Sequence, residues 1–273
     1  MDAPPEAGQD LRSVYNDAQW QATLLEAMLI CTGTPGSSPL TPDSMEPREL
    51  LASTITPEGR LMTLSLHGGH YYIEVGGHTL MSTRSTGSER ALADVAVREI
   101  ESSSPRVLIG GLGMGFTLGA ALDLLPSSAT VVVAEFFETI VDWNRKFSFE
   151  SAIDRLNDPR VVVEVIDLVE YLRQIEKPFD AILLDVDNGP DALSLASNKR
   201  LYDPQGLMGL KEVLNPGGVL AIWSAAESPA FERLLADVGF AARSESVRSR
   251  GRRGGHYTIF LGRTAGASET LKL

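Results

Sequence analysis

A glycine-rich segment, RVLIGGLGMGFTLG at residues 106–119, constrains the fold of this chain more than any other stretch. Val107, Leu108 and Ile109 form a short apolar run, which is typical of a strand buried on both faces of a sheet. Residues 116–125 have helical character and end at Pro126. Between strand and helix lie four glycines that permit a tight turn: Gly110, Gly111, Gly113 and Gly115. A strand, a glycine turn and a helix N-terminus together favour a nucleotide-type site, because free N–H groups attract electron-rich atoms.

Strand-like and helix-like segments alternate from this turn to residue 261. The predicted strands are 131–137, 158–167, 179–187, 215–224, 241–247 and 256–261, and the predicted helices are 138–147, 168–175, 202–213 and 231–238. Such alternation requires a largely parallel sheet with helices on both faces. We therefore predict an α/β fold with a doubly wound, Rossmann-like sheet of seven strands and an antiparallel C-terminal edge.

The segments before the glycine turn predict two further parts. Residues 51–84 follow a period of two, with strands at 61–66, 71–75 and 79–81 between glycine turns, which indicates a small antiparallel sheet. A helix is expected over 85–100, capped by Thr86 or Ser88. We predict a helix and linker at 1–47, the small sheet at 48–85 and the Rossmann-like domain at 86–273. The first helix either packs on its own domain, which we favour, or acts as a lid or dimer contact.

Charge and composition exclude several classes of partner. The formal net charge is −12, which disfavours binding to nucleic acid and to anionic membranes. Cys31 is the single cysteine, so no internal disulfide can form, and no apolar run approaches the roughly 20 residues that span a bilayer. Two nearby histidines, His67 and His70, lack a carboxylate or cysteine that would complete a metal site. We expect a soluble cytoplasmic protein without a metal.

Three successive predicted strands end in carboxylates: Glu135, Asp167 and Asp185. Ligands of open α/β sheets bind at the carboxyl ends of the strands. Glu135 follows Gly115 by 20 residues, a spacing at which an acidic side chain meets the two hydroxyls of a ribose. Asp167 is then placed near an adenine amino group, and Asp185 near the reacting end of the ligand. The sequence therefore predicts a nucleoside site.

These segments resemble the spermidine synthase (polyamine aminopropyltransferase) family within the class I S-adenosylmethionine-dependent methyltransferase fold. The resemblance covers about residues 60–262 and rests on IGGLGMG, VVVAE, DPRVVVEVIDLVEYL, FDAILLDVDNGP, LYDPQGL and LNPGGVLAIW. It implies that residues 110–115 hold the amino-acid portion of S-adenosylmethionine or of its decarboxylated form. It also implies that Glu135 binds ribose, Asp167 binds adenine and Asp185 binds the attacking amine.

The chain departs from this family where the substrates would bind. Gly113 stands where the family carries an acidic residue that positions the aminopropyl donor. The family's Tyr-His-Glu segment is not recognisable before the glycine strand, and only Glu89 remains as a possible partner of the amine. The Asp-Ser-Ser-Asp-Pro loop is replaced by DVDNGP at 185–190.

We assign candidate roles to the residues after the fourth strand and to one basic loop. Asp185 is the first candidate for the group that takes the acceptor's proton, and Asp187 is the second. Asn188 would orient the acceptor, and Tyr202 would close over it. Arginines in the predicted loop RSRGRRGG, above all Arg252 and Arg253, either bind an anionic acceptor, form a solvated hairpin tip or lie at a subunit contact.

Three functions remain open at the level of sequence. The main hypothesis is methyl or related alkyl transfer from a sulfonium donor to a small molecule or peptide. The second is aminopropyl transfer from decarboxylated S-adenosylmethionine. The third is a non-catalytic member of the fold that binds a nucleoside or a protein. The layout of the family that the chain resembles, together with the predicted N-terminal helix, suggests a homodimer.

Overall fold

The computed structural model describes residues 47–84, 86–147, 149, 155–186, 198–250 and 253–266, with backbone alone at 198, 199, 249, 250, 253 and 254. The helix and linker expected at 1–47 lie outside this part of the chain, apart from residue 47. None of the helices in the described ranges combines the length and the apolar character that a membrane crossing requires.

A four-stranded antiparallel sheet comes first, in the order β1-β2-β3-β4. Its strands are β1 (Glu49–Ile55), β2 (Leu61–His67), β3 (His70–Val75) and β4 (His78–Ser82). The last three confirm the predicted strands, whereas β1 was not predicted. A register shift between Leu50 and Ala52 interrupts its pairing with β2, and this irregularity breaks the alternation at the start of the strand.

The second sheet has seven strands, as the alternation of segments predicts. They are β5 (Arg106–Gly110), β6 (Thr130–Glu135), β7 (Val161–Val165), β8 (Phe179–Leu184), β9 (Leu214–Ser224), β10 (Ala241–Arg250) and β11 (Arg253–Arg263). Their order is β10-β11-β9-β8-β5-β6-β7, and β11 pairs antiparallel with both of its neighbours. The chain builds outward from β5 to β7 and then returns to β8 on the other side of β5. The switch in strand order therefore lies between β5 and β8, where α/β sheets bind ligands.

Six α-helices connect these strands in the described part of the chain. They are α1 (Gly87–Val97), α2 (Phe116–Leu124), α3 (Glu138–Phe147), α4 (Leu168–Leu172), α5 (Pro204–Glu212) and α6 (Pro229–Asp237). Asp203 and Ser228 cap α5 and α6 by accepting bonds from backbone N–H groups. Thr86 occupies the N-cap position of α1 but makes no side-chain cap bond, contrary to the expected cap.

The core consists of two apolar clusters, one on each face of the seven-stranded sheet. Val107 and Ile109 of β5 belong to the cluster that also receives the small sheet and α1 to α3. Leu108 belongs to the cluster that α4, α5 and α6 cover. Continuous apolar runs in the central strands follow from this burial on both faces.

Two local boundaries differ from the sequence prediction. The expected turn at 215–218 is part of β9, whose pairing with β8 is interrupted between Leu214 and Val219. The final hairpin is longer than predicted, so the backbones of Arg248, Arg250 and Arg253 lie in its strands rather than in a loop.

Candidate active site

The first two glycines of the turn are required by close packing of the chain on itself. A Cβ at Gly110 would lie 2.6 Å from a Leu168 methyl group. Gly111 has φ +87°, and a Cβ there would lie 2.5 Å from the backbone oxygen of Asp185. The ends of β5 and β8 therefore approach each other closely, which places Asp185 beside the glycine loop. Direct contact of these two glycines with a ligand stays a prediction.

The tip of the loop contacts the small sheet and α3. Gly113 has φ +54°, and a Cβ at this position would lie 3.4 Å from the sulfur of Met81 on β4. Gly115 has φ +80° and is the N-cap residue of α2, which has no side-chain cap. The side-chain amide of Asn144 donates a 2.7 Å hydrogen bond to the Gly113 carbonyl oxygen. A side chain at Gly113 would therefore extend toward Met81.

Glu135 ends β6 with its carboxylate turned into the glycine loop. Its Oε2 accepts a 2.8 Å hydrogen bond from the Leu112 N–H, and its Oε1 accepts a 2.9 Å bond from the Phe137 N–H. Burial raises the pKa of this carboxyl, and the backbone donors oppose that rise. Each oxygen can accept a second hydrogen bond, so the carboxylate retains capacity for a ribose diol. The residues present thus fit the nucleoside part of the expected donor.

Phe136 is a candidate that the sequence analysis missed. It follows Glu135 directly and is 42% exposed, and its ring meets Phe137 edge-on at 5.0 Å between centroids. An exposed aromatic ring beside a carboxylate that is predicted to bind ribose would offer an apolar wall for a nucleobase. The signal available in the sequence was the pair of phenylalanines that follows the acidic strand end.

Asp167 lies two residues beyond β7 and is the N-cap residue of α4. Its Oδ1 accepts a 3.1 Å hydrogen bond from the Glu170 N–H. This capping bond accounts for an acidic residue at the position. Adenine binding by Asp167 stays a prediction.

Asp185 directly follows β8 and belongs to a group of two carboxylates and two buried hydroxyls. Its Oδ2 accepts a 2.7 Å hydrogen bond from the Thr117 hydroxyl of α2. Glu89, in the first turn of α1, accepts a 2.6 Å bond from the Ser88 hydroxyl. The Thr117 oxygen is also 3.4 Å from the Glu89 backbone oxygen, so the starts of α1 and α2 meet at Asp185. The structure thereby brings two of the predicted substrate-site residues together.

The two carboxyl groups affect each other's ionisation. Burial, reinforced by the charge of Glu89, raises the pKa of Asp185 to about 7, and the Thr117 hydrogen bond opposes the rise. Burial also raises the pKa of Glu89, while the Ser88 hydroxyl and Arg90 act in the opposite direction. A carboxyl with a pKa near neutrality is matched to proton transfer at physiological pH.

The remaining predicted site residues do not join this group in the described part of the chain. Tyr202 is 6% exposed and its ring packs edge-on against Phe231 at 6.0 Å, within the apolar cluster under α5 and α6. This burial does not favour a role in closing over an acceptor. Asp187, Asn188 and Arg252 lie outside the described residues, and the side chain of Arg253 is not described.

The described residues contain no cluster of three or more histidine, cysteine or acidic side chains able to hold a metal ion.

A family model for the spermine/spermidine synthase domain matches residues 88–238, which is more than half of the chain. The chain belongs to the spermine/spermidine synthase family. The match begins at Ser88 and contains the glycine loop and the three strand-end acids. The resemblance inferred from the sequence motifs is therefore confirmed.

Two curated relatives that the chain resembles are polyamine aminopropyltransferases. The protein from Saccharolobus solfataricus is 28% identical over 125 residues, which are 46% of this chain and 40% of that protein. The protein from Aeropyrum pernix is 32% identical over 121 residues, which are 44% of this chain and 37% of that protein. The chain thus matches about two fifths of the length of these relatives.

Two solved structures share the fold over most of both chains. Spermidine synthase from Thermotoga maritima has a TM-score of 0.62 and 18% identity, with 80% of this chain and 73% of that chain covered. A spermidine synthase in complex with the transition state analogue AdoDATO has a TM-score of 0.64 and 19% identity, with coverage of 80% and 74%. These likenesses confirm the predicted α/β fold, including the small antiparallel sheet before the main sheet.

Proposed function

We propose that this chain transfers an aminopropyl group from decarboxylated S-adenosylmethionine to a small amine. Membership of the spermine/spermidine synthase family supports aminopropyl transfer over the methyl transfer that the sequence analysis favoured. The observation that carries the proposal is the position of Asp185, paired with Glu89 and adjacent to the glycine loop at the switch in strand order.

The donor would lie across the carboxyl ends of β5 and β6. Glu135 would accept hydrogen bonds from the ribose hydroxyls with the acceptor capacity that the loop N–H groups leave. Phe136 would pack against the adenine. The glycine loop, which Asn144 holds at Gly113, would contact the aminopropyl group that is attached to the sulfonium of the donor.

The acceptor amine would meet the carboxylate pair. Asp185, in its ionised form, would take a proton from the ammonium or steer it away, so that the nitrogen lone pair becomes available. The nitrogen then forms a bond to the carbon next to sulfur, and the carbon–sulfur bond breaks with its electron pair retained by sulfur. The products are the aminopropylated amine and neutral methylthioadenosine. Since the sulfonium is already a good leaving group, the residues of this chain contribute mainly alignment and proton removal.

A second candidate function, methyl transfer from S-adenosylmethionine, is favoured by one specific observation. Gly113 lacks the carboxylate that the family resemblance implies for an aminopropyl donor, and the Met81 thioether lies nearest to the missing side chain. An uncharged loop tip does not repel the carboxylate of intact S-adenosylmethionine.

Product analysis distinguishes these functions. The full chain is incubated with either donor and with a panel of mono-, di- and triamines, and the nucleoside product is identified by mass spectrometry. Aminopropyl transfer predicts methylthioadenosine, released only with the decarboxylated donor and an amine. Release of S-adenosylhomocysteine from the intact donor would instead establish methyl transfer, and no turnover with either donor would favour a non-catalytic member of the fold.

We further propose a homodimeric assembly and a cytoplasmic location. A homodimer and a cytoplasmic location are expected from the sequence, and the family supports a small-molecule acceptor rather than a peptide. Light scattering on the purified full chain tests the dimer, which predicts twice the chain mass of 29.4 kDa. A single-chain mass at micromolar concentration would contradict it.

A further inference from the structure

Thr117 is a buried polar residue in an otherwise apolar helix. Seven residues of α2 are buried, from Phe116 to Leu122, and Thr117 carries the single hydroxyl among them. It is 2% exposed. A buried hydroxyl destabilises the folded state unless it is hydrogen-bonded. The hydrogen-bond partner of Thr117 therefore explains why a threonine is found at this position. That partner is Asp185, which the mechanism uses as the proton acceptor.

The geometry gives the Thr117 hydroxyl one preferred acceptor. A hydroxyl has one proton, and the Asp185 Oδ2 at 2.7 Å is much closer than the Glu89 backbone oxygen at 3.4 Å. The bond fixes the rotation of the carboxylate and takes one of the two acceptor sites on Oδ2. The other oxygen, Oδ1, therefore offers more acceptor capacity to an incoming amine.

We infer that Thr117 is a positioning residue, whose hydroxyl fixes the Asp185 carboxylate so that Oδ1 is presented to the acceptor amine. This inference deepens the proposed function and rests on it for the role of Asp185 as the base. Thr117 itself does not touch the substrate in this account. Its effect reaches the reaction only through the orientation and the ionisation of Asp185.

The Thr117 hydroxyl also opposes the rise that the surrounding groups cause in the pKa of Asp185. Burial and the negative charge of Glu89, which faces Asp185 from α1, favour the protonated acid. Arg90, next along α1, acts on Glu89 and opposes the rise of that group's pKa. Hydrogen bonds to a carboxylate favour its ionised form, so Thr117 keeps more of Asp185 in the state that accepts a proton.

Three variants test the inference. Thr117→Val removes the hydroxyl while keeping a β-branched side chain, and Thr117→Ser keeps the hydroxyl. Thr264→Val is the matched control, because Thr264 is also buried and bonded, to the Asn215 backbone oxygen at the start of β9. For each full-length variant, kcat/KM for aminopropyl transfer is measured against pH. In parallel, the Asp185 carboxyl is titrated by NMR with ¹³C-labelled aspartate, and the Asp185→Asn variant assigns its signal.

The inference predicts that Thr117→Val moves the acidic limb of the kcat/KM profile, and the NMR titration, upward by about one pH unit. Thr117→Ser and Thr264→Val should keep both at the wild-type position. An unmoved titration in Thr117→Val, or an equal shift in Thr117→Ser or in Thr264→Val, would overturn the inference. If the wild type transfers no aminopropyl group, the proposed function fails, and the NMR titration alone still decides whether Thr117 controls Asp185.

Discussion

The side-chain amide of Asn144 donates hydrogen bonds to two backbone oxygens, that of Gly113 at 2.7 Å and that of Ile140 at 2.9 Å. One residue of α3 thereby ties the tip of the glycine loop to the helix that follows Glu135. The loop is thus held by the protein rather than by a ligand, which reduces the ordering cost of binding.

Replacing Asn144 by Ala should weaken the binding of methylthioadenosine by about tenfold, because the Gly113 carbonyl loses its donor and the loop tip must be ordered by the ligand. Isothermal titration calorimetry measures the affinity. Asp142→Ala, an exposed position on the same helix, is the control and should bind like the wild type. Equal affinity of Asn144→Ala and the control would show that the tether does not support the site.

Phe136 should contribute to nucleoside binding through its exposed ring. We expect Phe136→Ala to weaken methylthioadenosine binding by about 1–2 kcal/mol, while the folding stability changes little because the ring is 42% exposed. Phe136→Leu should retain part of the affinity, since an apolar surface remains. Fluorescence or calorimetric titration checks both values, and unchanged binding in Phe136→Ala would remove this residue from the site.

The free energy of unfolding should decrease as the pH rises from 4 to 8, because three buried carboxyl groups must ionise. The pKa values of Asp185, Glu89 and Glu135 are raised in the folded state, so folding favours their protonated forms. Their contribution is present at low pH and is lost as the pH rises through the folded pKa values. Asp158, whose pKa is lowered to about 2 by Arg160, acts in the opposite sense but only below about pH 4.

Asp185→Asn should therefore unfold at a higher temperature than the wild type at pH 8 and at a similar temperature at pH 4. The gain in the free energy of unfolding at pH 8 is at most about 4 kcal/mol, because burial and Glu89 raise the pKa of Asp185 from its ordinary value to about 7. Differential scanning calorimetry at both pH values measures it. Glu164→Gln, an exposed change on β7, is the control. A variant less stable than the wild type at pH 8 would refute the assignment of a destabilising charge to Asp185.

Gly113→Asp tests which donor the loop selects. An aspartate tolerates positive φ better than most residues, and Met81 is a flexible side chain that can move. The added carboxylate should favour decarboxylated S-adenosylmethionine over the intact donor by roughly tenfold in relative affinity. Gly113→Ala introduces the same Cβ without the charge, so it separates strain from electrostatics. Unchanged donor preference in Gly113→Asp would show that position 113 does not contact that end of the donor.

Much of the fold could be predicted from the sequence because its signals are local. The strand from Val107 to Ile109 and the turn after it, for example, are each indicated by a few neighbouring residues. β1 was missed because a bulge at Leu51, between Leu50 and Ala52, breaks the alternation in the first half of the strand. The antiparallel edge was predicted, but the length of the final hairpin was not, since arginine-rich stretches indicate loops more often than strands.

The candidate site was less accessible from the sequence. The partnership of Asp185 with Thr117 joins residues 68 positions apart, so no local pattern reveals it. Tyr202 follows a short 3₁₀ helix, Asn198–Leu201, and only the packing places its ring beside Phe231. The sequence analysis interpreted Gly110 and Gly111 as ligand contacts only. The structure shows a second reason for these glycines, since a Cβ at either position would collide with neighbouring residues of the chain.

We propose that Glu135 and the glycine loop form a nucleoside site at the carboxyl end of β6. Calorimetric titration of the wild-type chain and of Glu135→Ala with methylthioadenosine tests this claim most directly, with circular dichroism to establish that the variant is folded. The account predicts saturable binding to the wild type and no detectable binding to a folded Glu135→Ala. Equal affinity of the two proteins, or no binding to the wild type, would contradict it.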